Sequence, residues 1–227
     1  MPTIAIVGAG PGLGQSIART FGAHGFSVAL VARTQSTLDA LVADLQQAGV
    51  EAAAFTADVM DPASVASAFD RIKDRFGTVE VLEYSPAPHA TPVPGLSHPD
   101  PREVGRDTIQ PQLDYYLYGA IAATEQVLPA MLERSRGSIL YTTGGTSLEP
   151  LAGPAEFATT TIGSGALRSY ALKLHQATAD TGVYVAHIPL FAWIGSGGPE
   201  SQPATIAEHY WTAHITREGA ELPYRAL

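Results

Sequence analysis

Val7-Gly8-Ala9-Gly10-Pro11-Gly12-Leu13-Gly14 joins a short apolar run to a segment of helical periodicity. Upstream, Thr3 to Val7 predicts a strand; downstream, Leu13, Ile17 and Phe21 recur at the spacing of one helix face as far as His24. Glycines at such a junction let the chain turn tightly. They also bring backbone N–H groups and the positive end of a helix up to a phosphate with no side chain in the way. The strand-then-helix alternation continues. Ser27 to Ala32 predicts a second strand, followed by a helix with Leu38, Leu41, Val42 and Leu45 on one face and Gly49 past its end. Ala52 to Thr56 predicts a third strand, and Asp61-Pro62 opens a helix carrying Val65, Phe69, Ile72 and Phe76, which Gly77 closes.

Val79 to Tyr84 predicts the fourth strand. Ser85 to Pro101 then holds six prolines and two histidines, His89 and His98, which excludes regular structure. A long helix is expected from about Arg106 to Arg134, a strand over Ser138 to Thr143, a helix from about Pro154 to Ala179, a strand over Val183 to Ile188, and an irregular tail. Strands alternating with helices imply an α/β, doubly wound parallel sheet with helices on both faces. The 227 residues fit a single domain, with 85–105 a Pro-rich loop and 190–227 a C-terminal segment on the substrate side. Such sheets bind ligands outside the carboxyl ends of their strands. A prolonged loop after the fourth strand falls at that end, where long loops are usually functional.

Composition narrows the chemistry. With no cysteine there is no disulfide framework and no thiolate nucleophile or metal ligand. A net charge of −9 disfavours nucleic acid, whose binding draws on Lys and Arg neutralising phosphates. No run reaches the roughly 18 apolar residues of a membrane span, and Met1-Pro2-Thr3 lacks the basic start of a secretory signal, so a cytoplasmic protein with no membrane partner is expected. The seven histidines show no metal-ligand spacing.

Within the glycine stretch, G-x-G-x-x-G is broken by Leu13, whereas Gly8, Gly12 and Gly14 meet G-x-x-x-G-x-G. In that spacing, and through residues 3 to 190, the chain resembles the short-chain dehydrogenase/reductase family, a Rossmann fold. The resemblance implies a dinucleotide cofactor held by Gly8, Gly10, Gly12, Leu13 and Gly14, an adenine contact by Asp58-Val59 after the third strand, and a contact by Ser85 after the fourth. Arg33 ends the second strand, nineteen residues beyond Gly14, and Thr34 follows it. An acidic residue there would bond the ribose 2′-OH of NAD, while a guanidinium offers a planar fork of donors to a 2′-phosphate. The expected cofactor is NADP(H).

The family reduces carbonyls with an Asn, Ser, Tyr and Lys set, in which the lysine follows the tyrosine by four residues on one helical face. Counting along the resemblance, those positions hold Tyr116, Gly144, Phe157 and Thr161. No Tyr-x-x-x-Lys occurs between Tyr141 and Lys173, so a slip in register does not restore the pair. Substitute donors are the hydroxyls of Thr146 and Ser147, or a phenol from Tyr84, Tyr116 or Tyr141. No catalytic residue is assigned. Leu190-Phe191-Ala192-Trp193 suggests an apolar wall near the nicotinamide, and His209-Tyr210-Trp211 a short aromatic helix that either closes the substrate side or covers the core. Three functions remain open: an atypical reductase of a small organic substrate, an inactive NADP(H)-binding sensor or partner subunit, or a non-redox isomerase or cyclase. The resemblance further implies a homodimer or homotetramer built on the stretches Leu113–Met131 and Ala158–Leu174.

Overall fold

The computed structural model describes residues 1–87 and 93–226. Seven parallel strands form one sheet in the order β3-β2-β1-β4-β5-β6-β7. In chain order the elements are β1 (Thr3–Val7), α1 (Leu13–Ala23), β2 (Ser27–Ala32), α2 (Gln35–Gln47), β3 (Ala52–Thr56), α3 (Pro62–Phe76) and β4 (Val79–Tyr84). There follow α4 (Arg106–Leu113), α5 (Gly119–Glu133), β5 (Gly137–Gly144), α6 (Ala158–Thr178), β6 (Val183–Phe191), α7 (Pro203–Thr216) and β7 (Tyr224–Arg225). The first four strands have the predicted bounds. Each is a short apolar run closed by turn residues, a pattern that leaves little freedom in its ends.

Side chains alternate across the sheet, as the pleat requires. Ile4 and Ile6 face a core shared with Ile17 of α1, Leu38 of α2 and Tyr210 of α7. Ala5 and Val7 face the opposite core with Phe69 of α3, Ala123 of α5 and Leu167 of α6. The order reverses direction at β1/β4, the crevice where doubly wound sheets bind ligands.

Three expectations need correction. The single helix expected over 106–134 is interrupted by a π-turn at Asp114–Tyr118. Tyr84 Oη donates to the Tyr115 carbonyl at 2.6 Å within this turn, where a side chain at the helical ladder accompanies the local widening. Gly119 lies against this hydroxyl, where a Cβ would come within 2.3 Å of it. The helix expected from Pro154 begins later, after a 3₁₀ turn at Ala155–Phe157. The tail is not irregular: α7 packs on α1, and β7 pairs in parallel with β6 through Leu190–Tyr224 and Phe191–Arg225. Of the Pro-rich loop, the middle with His89 lies outside the described residues; its later part holds a 3₁₀ turn at Pro101–Glu103.

Candidate functional site

The glycine stretch turns off β1 into α1 at the carboxyl edge of the sheet. The amides of Gly8 and Ala9 both donate to the Val31 carbonyl, at 2.9 and 3.1 Å, which folds the turn back over β2. Gly8 has φ +99°, and a Cβ there would meet the Pro86 backbone at 2.5 Å, so only glycine fits. Gly12 precedes α1 with φ +142° and open space around it, and no side chain caps the helix. Among the described residues the Leu13 and Gly14 amides donate to no backbone carbonyl. An uncapped helix start lined by glycine is what a pyrophosphate requires, so these residues fit a dinucleotide.

The neighbouring strand ends lie in sequence beyond this turn. Arg33 leaves β2 exposed and, among the described residues, in no ion pair; Thr34 sits before α2 without capping it. Asp58 follows β3. One of its oxygens accepts from the Met60 amide at 3.0 Å and its own amide donates to Ser64 Oγ, so it shapes a turn and keeps the second oxygen unshared. Val59 is buried, with its carbonyl against Gly119. Ser85 touches the glycine turn through its amide, which donates to the Val7 carbonyl, but its hydroxyl points inward to Glu83. The structure thus gathers Gly8–Gly14, Arg33, Asp58 and Ser85 along the carboxyl ends of β1 to β4. A cleft of about 390 Å³ between α3 and α5 includes Val59 but none of these residues.

On the substrate side, Gly144 is the exposed end of β5, and Phe157 and Thr161 are partly exposed at the start of α6. Tyr116 is buried against Gly163 of α6. The phenols of Tyr84, Tyr116 and Tyr141 are not available as acids. Tyr84 is bonded to Tyr115 and Tyr141 to Thr124 at 2.5 Å, and burial holds all three well above the usual phenol range. The aromatic helix does not close the substrate side either. Tyr210 is fully buried under the sheet, and Trp211 stacks on His24 at 3.8 Å and meets Phe21 edge-on, because α7 covers the α1 face. Of the expected apolar wall, Leu190 is buried and Phe191 packs between the Gly145 turn and the Arg225 guanidinium, leaving Trp193 79% exposed.

Two buried polar groups were not apparent in the sequence. Glu83 of β4 is fully buried, held by Ser85 Oγ and Thr142 Oγ1 at 2.8 Å each, with Tyr210 Oη 2.7 Å from Thr142. Among the described residues no cation pairs with it. Burial pushes its carboxyl up to about 8, against the pull of the two hydroxyls. An unfolded Glu83 would titrate near 4.5, so the folded state holds a proton that the unfolded chain releases between 4.5 and about 8. Its contribution to stability is present below pH 4.5 and is lost as pH rises to about 8. Glu83→Gln should therefore flatten the stability profile across this window and raise the unfolding free energy at pH 8 by an amount on the order of a few kcal/mol. Urea unfolding at pH 5 and 8 measures it. His214 acts at the acid end: burial depresses its imidazole to about 4, so stability is lost as pH falls from 6.5 toward that value.

The second group is His187 of β6, which bonds Thr143 through Nε2 and Glu221 through Nδ1. Its sequence signal was weak, since its partners lie 44 and 34 residues away. Among the described residues there is no cluster of three or more potential metal ligands.

The fold, the open glycine turn and the strand order meet in one comparison. The family model for short chain dehydrogenases matches residues 2–190. The chain belongs to the short-chain dehydrogenase family. Oxidoreductase UcpA of Escherichia coli is 33% identical over 156 residues, covering 69% of this chain and 56% of the relative. A putative ketoacyl reductase of Streptomyces coelicolor is 33% identical over 144 residues, 62% of this chain and 52% of the relative. The chain spans about half the length of these curated relatives. Among solved structures, a variant of actinorhodin polyketide ketoreductase with NADPH superposes with a TM-score of 0.75 at 25% identity, over 96% of this chain and 78% of that one. A short-chain dehydrogenase from Rhodopseudomonas palustris gives a TM-score of 0.82 at 22% identity, over 100% and 99% of the two chains. A metagenomic short-chain oxidoreductase in complex with NADP gives 0.80 at 19% identity, over 100% and 97%.

Proposed function

We propose that this short-chain dehydrogenase binds NADP(H) and acts as an atypical reductase of a small organic substrate. The observation that carries the reading is the uncapped start of α1 behind Gly8–Gly14, with an exposed Arg33 at the end of the adjacent strand that makes no ion pair among the described residues. The relatives with NADP or NADPH bound support it. In this reading the amides of Gly10, Gly12, Leu13 and Gly14 hold the pyrophosphate, and Arg33 with Thr34 holds the 2′-phosphate. Asp58 accepts the adenine amino group on its unshared oxygen, Val59 lines the adenine, and Ser85 borders the nicotinamide side through its backbone. NADPH, when bound, supplies a hydride.

What makes the chain atypical is the set Tyr116, Gly144, Phe157 and Thr161 at the positions where the family carries its proton chemistry. A positioned general acid contributes roughly 10²–10⁴ in rate, so simple ketones should turn over slowly. Restoring the set should reveal this: Gly144→Ser with Phe157→Tyr and Thr161→Lys is expected to raise NADPH-dependent reduction of a simple ketone by about tenfold or more. The same replacements favour a second reading, an NADP(H)-binding sensor or partner subunit without turnover. NADPH consumption against ketones, enones and imines separates them, because sustained turnover is incompatible with a sensor.

We further propose a cytoplasmic homodimer or homotetramer. Among the described residues no helix is long and apolar enough to cross a membrane. Tyr118 and Ile162, 47% and 46% exposed, put apolar surface on the two stretches expected to associate. Sedimentation velocity should give a mass of two or four chains; a monomer would remove this assignment.

A further inference from the structure

Behind the end of β5 runs a continuous file of polar side chains from the turn at Gly145–Ser147 to the tail. Ser147 Oγ donates to the Gly144 carbonyl at 2.9 Å and lies 2.7 Å from Thr143 Oγ1. Thr143 Oγ1 is 2.8 Å from His187 Nε2, and His187 Nδ1 is 3.0 Å from Glu221 Oε1. Arg168 of α6 closes the file with Nε at 2.6 Å and an NH2 nitrogen at 3.0 Å from the two Glu221 oxygens. The tail is pinned in place: the His187 amide donates to the Ala220 carbonyl and the Leu222 amide to that of His187. The inner members are buried, with His187 fully so, while the Glu221 side chain is 22% exposed. A hydroxyl next to an imidazole whose far nitrogen is held by a carboxylate is an arrangement that can store and hand on a proton, and here its inner end lies at the exposed terminus of β5.

We propose that Glu221, His187, Thr143 and Ser147 form a proton relay that serves reduction in place of the missing tyrosine and lysine, with Ser147 as the hydroxyl that meets the substrate. The proposal rests on the reductase reading above. NADPH, when bound, would supply a hydride to the electrophilic carbon of the substrate and be left as NADP⁺, and the electron pair of the C=O or C=N bond would move to the heteroatom. With the ring charged, that heteroatom takes the Ser147 proton, Ser147 the Thr143 proton and Thr143 the Nε2 proton; the ring is left neutral with its Nδ1 proton hydrogen-bonded to Glu221, and after product leaves it regains a proton at Nε2 from water through the same two hydroxyls. Burial lowers the His187 imidazole from its ordinary value, partly offset by Glu221 and reinforced by Arg168. Among the described residues the ring bonds Thr143 and Glu221, with Ser147 next to Thr143 and Arg168 on Glu221. At neutral pH the ring is then neutral with its proton on Nδ1, and turnover should rise as pH falls and the ring charges.

The test joins a spectroscopic readout to a kinetic one, using the full chain with ¹⁵N-labelled histidine. His187 should carry its proton on Nδ1 at pH 7.5, and Thr143→Val should shift its Nε2 resonance. In steady-state NADPH oxidation, Ser147→Ala and His187→Asn should each lower turnover by about 10²-fold while changing NADPH affinity by less than twofold. His187→Asn should also abolish the acidic rise, and Glu221→Gln should move that rise to lower pH. A merely structural role would leave the pH profile in place. Turnover within threefold of normal in Ser147→Ala, or a His187 proton on Nε2, overturns the relay alone. An unmodified chain that binds NADPH but oxidises none of it with any carbonyl or imine overturns the reductase reading and the relay together.

Discussion

Gly8→Ala should abolish saturable NADPH binding and destabilise the fold by about 2–5 kcal/mol, the sum of forcing a non-glycine residue to positive φ and of overpacking against rigid neighbours. The backbone at Gly8 has φ +99°, and a Cβ would come within 2.5 Å of the Pro86 Cα and nitrogen and 2.7 Å of the Ser85 carbonyl carbon. Those are backbone atoms and cannot rotate aside. Relief requires the turn to part from the segment after β4, which also breaks the bond from the Ser85 amide to the Val7 carbonyl. Gly10→Ala is the control. A Cβ there meets nothing within 4 Å and no positive φ is needed, so folding should be unaffected while a methyl group enters the space assigned to the pyrophosphate. Urea denaturation and NADPH titration on both variants separate the two effects: Gly8→Ala loses stability and binding, Gly10→Ala loses binding alone. Equal stability in Gly8→Ala and the unmodified chain would contradict the described turn.

Arg33→Ala should weaken NADPH binding by about 10- to 100-fold and NADH binding by less than twofold, since a charge-assisted fork to a phosphate contributes on the order of 1.5–3 kcal/mol. Arg33 is exposed and, among the described residues, has no ion pair, so its removal leaves no buried partner unsatisfied. The loss would therefore report the 2′-phosphate contact and not a disturbed fold. An Arg33→Lys chain keeps the charge but not the planar fork, and should fall between the two. Equal losses for both dinucleotides would remove the basis for preferring NADP(H).

These positions were legible in the sequence because each depends on local chain geometry. The glycine spacing, the strand ends at Arg33 and Asp58, and the cap at Asp61, whose side chain accepts from the Ala63 amide at 3.0 Å, all follow from neighbours within a few residues. The π-turn was not legible, since it depends on Tyr84 reaching the Tyr115 carbonyl across 31 residues. The last strand leaves no sequence signal, because it is two residues long and has no periodicity of its own. Glu83 looked like an ordinary strand residue. Only the packing of α7 on the sheet brings Tyr210 and Thr142 around it and makes it a buried carboxyl. The His187 file is likewise assembled by the parallel pairing of β6 with β5, with Thr143 opposite Pro189, and by a tail that returns to the sheet. Long-range contacts of this sort leave no mark on local patterns, whereas the glycine turn depends on residues adjacent in the chain.

The central claim, a cradle selective for NADP(H), is tested most directly by calorimetric titration of the unmodified chain with NADPH and with NADH. Saturable binding of one NADPH per chain, at least tenfold tighter than NADH, is expected. Equal affinity for the two, or no saturable binding of either, would contradict it.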